Sequence, residues 1–188
     1  LIYSFMFRST FSEYKNAFQI EKNRLQIKGK LIFSFENKFF RALFRSIIIC
    51  VLIYSVASTK ALVFYLISAL ISKILLEAIN YIEHYGLVRV EGRSVRPRHS
   101  WNSNTFISSA FTFNLTRHSA HHEKAHLPYW KLSPYSDAPK MPYGYMSTFF
   151  FALLLPWLYR KIMAKKLLEW DQNYASEAEI ELISNLSV

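Results

Sequence analysis

Apolar residues are spaced in a loosely helical way near the start of the chain and then run together. In FSEYKNAFQIEKNRLQIKGK, Phe11, Tyr14, Phe18 and Leu25 mark one face, and Gly29 is placed to stop the helix. Residues 1–38 therefore read as an amphipathic, basic segment lying along a membrane surface. Residues 39–57, FFRALFRSIIICVLIYSVA, form the first apolar run. Its uncharged part is short for a hydrocarbon core of about 30 Å. Arg41 and Arg45 lengthen it if they snorkel to the interface. Residues 58–60 break the pattern. The run over 61–82 then spans about 33 Å as a helix, enough to cross a bilayer. It carries Lys73 and Glu77, four residues apart on one helical face. Charges in a span either pair with each other or mark a functional path, and both readings stand for this pair.

A third apolar stretch, MSTFFFALLLPWLY, is short and broken by Pro156, which fits a re-entrant or interfacial helix better than a further span. The predicted fold is all-α and membrane-integral. A basic segment (1–38) precedes a transmembrane helical hairpin (39–85). A histidine-bearing region (86–145), an interfacial or re-entrant helix (146–168) and a soluble acidic tail (169–188) follow.

Composition and charge sharpen this picture. Hydrophobic residues make up 52% and the net charge is +10. Such a charge on a soluble protein would point to nucleic acid. Here the bases flank long apolar runs, so the expected partner is membrane lipid, with no nucleic acid. Bases cluster before the first run and after the second, with Lys60 alone between them. The positive-inside tendency puts both ends of the hairpin, and the histidines, in the cytoplasm. The one cysteine, Cys50, lies within an apolar run, which rules out an intrachain disulfide or a cysteine-based metal site.

Any metal must then be held by histidine, with carboxylate or water. Four of the six histidines fall in the nine residues 118–126. His118, His121 and His122 stand at i, i+3 and i+4, on one face of a helix, where neutral imidazoles can converge on a metal. The alternative is an exposed polar helix or loop with incidental histidines. His126 lies further on, close to Pro128, where the helix is expected to have ended. His84, in NYIEHYG, sits where the long apolar helix meets the cytoplasm. By itself it is more often an interfacial residue than a ligand. Gly86 fits a helix C-cap. Asn80, one turn below His84, is placed to orient its ring, and Glu77 lies two turns below on roughly the same face. Glu83 is expected to point elsewhere. His99, in RPRHSWNSN, reads as structural or as a group behind the ligands.

NYIEHYGL, HSWNSN, NLTRHSAHH and DAPKMPYGY, in this order and spacing, resemble the integral-membrane alkane hydroxylases, the alkane 1-monooxygenases of the membrane fatty acid desaturase/hydroxylase superfamily. EHYG together with LxRHSxHH separates these enzymes from ordinary desaturases. The resemblance covers about residues 11–160 and implies a multi-pass protein of the inner membrane with a non-haem di-iron centre facing the cytoplasm. Carried over by motif, the ligands are His84, His118, His121 and His122, while His99, Asn80 and Glu77 stand behind them or are structural. The implied reaction is hydroxylation of an alkane's terminal carbon with O2 and electrons from rubredoxin and its reductase. Alternatives within the superfamily are a fatty-acyl hydroxylase or desaturase, a xylene monooxygenase, or an inactive relic. Where family members often continue HSWNSN with histidine, this chain has Thr105. The family's two earlier histidine boxes, HExxHK and EHxxGHH, do not occur in this chain. The expectation is a C-terminal half whose two-iron site is incomplete and whose isolated activity is absent.

Overall fold

In a computed structural model that describes residues 1–186, the chain is all-helical, with no strand among the described residues. It divides into two units, Tyr3–Glu77 and a second made of Leu1–Ile2 with the chain from Ala78 onward.

The first unit holds most of α1 (Ile2–Ile27), all of α2 (Lys38–Val56) and α3 (Thr59–His84) as far as Glu77. Gly29, at φ +64°, follows the end of α1 in the left-handed region that favours glycine. Asn37 caps α2, its Oδ1 accepting the amides of Phe39 (2.9 Å) and Phe40 (3.2 Å). Glu21 accepts both the Lys38 amide (2.5 Å) and the Arg24 guanidinium (2.6 Å), setting a negative charge at the positive end of α2. These bonds, the Arg24 side chain first, hold the Glu21 carboxyl at about 2.

α2 and α3 form a helical hairpin, and both are long and apolar enough to cross a membrane. α2 buries none of its residues, and along α3 Phe64, Ile67 and Leu70 are equally exposed. Apolar exposure on this scale suits hydrocarbon rather than water. The charge within α3 is satisfied: Lys73 pairs with both Glu77 and Glu13.

The second unit packs the end of α3 with short helices α4 (Phe106–Phe111) and α5 (His118–Glu123) and the longer α6 (Tyr145–Leu154), α7 (Pro156–Asn173) and α8 (Glu177–Leu186). Pro156, which lacks an amide hydrogen, opens α7 at its first position. Its core includes Trp101, Tyr145, Tyr159, Met163 and Trp170. The segment from Glu169, read from sequence as a soluble acidic tail, completes α7 and contains α8, with Trp170 and Glu179 buried. Positions 187 and 188 of that segment lie outside the described residues.

Candidate metal site

Three imidazoles meet in the second unit. Nε2 of His118 lies 3.1 Å from Nε2 of His84 and 2.9 Å from Nε2 of His122; His84 and His122 are 3.4 Å apart. Two come from α5, four residues and one turn apart. The third comes from the last position of α3, where the left-handed Gly86 (φ +70°) ends the helix. A Cβ on Gly86 would lie 2.6 Å from Cδ2 of Leu167, the movable end of a side chain, so it is the backbone conformation that favours glycine here.

Hydrogen bonds fix how the rings present themselves. His84 Nδ1 is 2.9 Å from the carbonyl of His99. A carbonyl can only accept, so Nδ1 carries the proton and Nε2 presents a lone pair. His118 Nδ1 lies 3.2 Å from Oε1 of Glu83, a contact whose angles fall short of a hydrogen bond. Glu83 is buried and accepts the Tyr145 hydroxyl at 2.8 Å on that same oxygen. The Glu83 carboxyl thus stands on the far side of the His118 ring from Nε2, as the His99 carbonyl stands behind His84. Burial, then the neighbouring His122, His84 and His121, hold His118 down at about 2, while burial and then His84 and His121 hold His122 at about 4. Both rings are neutral near pH 7.

The HSWNSN stretch is the strap that brings the two histidine boxes together. The Trp101 amide donates to Glu83 O (2.8 Å) and its indole to Tyr85 O (2.9 Å), tying the strap to the end of α3. The buried Asn102 ties it to α5. Its Nδ2 donates to Ser119 Oγ (2.7 Å) and Ser100 O (2.7 Å), and its Oδ1 accepts the Ser119 amide (3.0 Å). Ser119 Oγ passes its own proton to Pro97 O at 2.7 Å. The DAPKMPYGY stretch completes the arrangement: the Asn102 amide donates to Pro139 O and the Met141 amide to Asn102 O, each at 2.9 Å.

The sequence matches the fatty acid desaturase family over residues 1–160. The chain belongs to that family. It is 33% identical over 185 residues to an alkane 1-monooxygenase of Pseudomonas putida, covering 96% of this chain and 46% of that protein. An alkane 1-monooxygenase of Pseudomonas aeruginosa is 36% identical over 191 residues, with 99% and 49% covered. The hydroxylase component of a Pseudomonas putida xylene/toluene monooxygenase is 30% identical over 181 residues, with 96% and 49% covered. The chain thus spans about half the length of the curated relatives it matches.

The donor set of this desaturase-family chain suits a metal. With metal–imidazole bonds of about 2.1 Å, nitrogens held by one ion stand about 3.0 Å apart at right angles and about 3.4 Å apart at the tetrahedral angle. The three separations lie close to that range. His84 turns its proton outward and offers Nε2 as a lone pair, and the three Nε2 atoms lie close enough together to share one ion.

Of the residues singled out from sequence, His84, His118 and His122 converge. The His121 ring is adjacent but outside the trio, its centre 5.9 Å from that of His118 and 6.0 Å from that of His122. His126 is exposed and follows α5. The partner of His84 Nδ1 is the His99 carbonyl, not Asn80, and Glu77 is engaged with Lys73. Buried His99 stands directly behind His84. Glu83 was expected to point elsewhere and instead meets His118. The signal for it was its charge: an acid at the end of an apolar span needs a partner.

Proposed function

We propose that this chain supplies part of the catalytic centre of a membrane alkane monooxygenase. His84, His118 and His122 hold non-haem iron from the cytoplasmic side, and His121 with histidines elsewhere in the full-length protein completes a two-iron site. The convergence of three Nε2 atoms from the EHYG and RHSAHH boxes carries this reading. The iron would supply the activation of O2, by which one oxygen atom enters the substrate's terminal C–H bond and the other leaves as water.

The chain's own residues position and protect. The His99 carbonyl sets the tautomer of His84, Glu83 stands behind His118, and Tyr145 holds the Glu83 carboxyl in place. The lipid-facing apolar helices offer an alkane a route that avoids water. Electrons would come from rubredoxin and its reductase, and a basic cytoplasmic face would steer a carrier whose docking surface is acidic. Arg98 is committed to Glu179, which leaves the exposed Arg89, Arg93 and Arg96 for that role.

The test is a chimera in which this chain replaces the matching segment of the Pseudomonas putida relative. It is assayed in membranes with rubredoxin, its reductase, NADH and octane. The expected result is bound iron and 1-octanol, both lost with His118→Ala. A chimera that binds iron but oxidises only xylene or fatty-acyl chains overturns the alkane assignment.

A further inference from the structure

The 3-10 turn Pro97–His99 is gripped from two sides. On one side its last carbonyl accepts the His84 Nδ1 proton. On the other, the preceding carbonyl, of Arg98, accepts the Trp170 indole of α7 at 2.6 Å. The side chains of the same two residues both reach Glu179, in the first turn of α8. Arg98 does so in bidentate fashion at 2.9 and 3.1 Å, and His99 Nε2 at 2.7 Å.

The protons on His99 are fixed by elimination. Its Nδ1 accepts the Arg96 amide at 3.0 Å, so the ring proton is on Nε2 and is donated to Glu179. His99 is buried with both ring nitrogens and its carbonyl engaged, which leaves it little room to turn. Glu179 is buried too. Burial alone would raise its carboxyl; the hydrogen bonds from Arg98, the Ser176 amide and His99 outweigh that and hold it at about 2.

We infer that Glu179 is a positioning residue for the metal site: through His99 it fixes the carbonyl that orients His84, so that helix α8 sets the aim of a ligand on α3. The inference rests on the metal reading of the three histidines. Hydrogen bonds behind a metal-bound imidazole typically govern affinity by about 10–100-fold. Glu179 acts one bond further back, so the lower end of that range applies.

The test titrates the full chain in detergent with cobalt(II), whose visible absorption reports both occupancy and coordination geometry. Affinity is read by competition with a chelator. Glu179→Ala is expected to weaken cobalt binding about tenfold and move the visible band. In a His99→Ala background the same substitution should add nothing, since the route through the imidazole is already cut. Glu179→Gln keeps the side-chain volume but offers one acceptor where Arg98 and His99 need two. It is expected to lose about threefold, and it carries the test if Glu179→Ala does not fold. Wild-type affinity and an unmoved band in the folded Glu179 variants would overturn the inference and leave the metal reading standing. So would an undiminished loss in the His99→Ala background. A wild-type chain with no cobalt band overturns the metal reading itself, and the inference with it.

Discussion

Asn102→Ala is the substitution whose cost follows most directly from the structure. Asn102 is 4% exposed and Ser119 2%, so the groups left behind have no water to turn to. Removing the amide strips the Ser119 N–H of its acceptor and the Ser100 carbonyl of a donor. Each buried group left unpaired costs about 1–3 kcal/mol. Ser119 Oγ keeps its bond to Pro97, so the loss is confined to these two groups, about 3 kcal/mol in all. For a unit of this size about 4 °C is lost per kcal/mol, which predicts a fall of about 12 °C in melting temperature. Near-UV circular dichroism in one fixed detergent measures it. Asn102→Asp sharpens the test. It keeps an acceptor for Ser119 N–H but turns a carboxylate oxygen on the Ser100 carbonyl, so it should be at least as damaging. A melting temperature within 3 °C of wild type for Asn102→Ala would refute the claim that this side chain joins the two histidine boxes.

Two further outcomes follow from the site. Glu83→Gln keeps the shape and an acceptor for the Tyr145 hydroxyl but replaces the carboxyl that stands behind His118; cobalt affinity should fall about 10–100-fold with little change in helix content, and unchanged affinity would mean that the carboxyl group does not act on the ring. The metal-free protein should lose stability in acid. His118 sits at about 2 when folded against an ordinary histidine value of about 6.5, so its contribution is complete above pH 6.5 and lost as pH falls toward 2. Between those values the slope is about 1.4 kcal/mol per pH unit, and melting curves from pH 7 to 5 should flatten in His118→Gln; equal slopes would show that the ring is not held neutral.

The sequence made much of this legible, for physical reasons that can be named. Long apolar runs and a helix-stopping Gly86 leave few alternatives for α2 and α3. Histidines at i and i+4 share a helix face under any packing, so His118 and His122 were bound to lie together. What spacing could not choose was which of His121 and His122 would join His118 at His84, because that depends on how α5 is turned against α3. Nor could it show that one imidazole would touch consecutive residues of α3, with Nε2 toward His84 and Nδ1 toward Glu83. That contact exists because the strap at Asn102 draws α5 against the end of the span, and long-range hydrogen bonds have no period to read.

The acidic end of the chain teaches a different point. Five acids gathered after residue 168 read as a soluble acidic tail. Yet SEAE, from Ser176 to Glu179, is the S-x-x-E pattern that opens helices. The Glu179 side chain reaches back to the Ser176 amide at 2.8 Å, as that pattern requires, and the apolar residues of α8 follow it. A carboxylate already drawn back on its own helix start is a compact, pre-aimed acceptor. Buried, such a group needs a cation and further donors, and Arg98 and His99 are the ones this fold brings to it. Composition describes the average acid in a stretch, whereas a cap pattern picks out the one whose geometry is fixed. The acid so picked out, Glu179, is the one that the fold places behind His99 and His84.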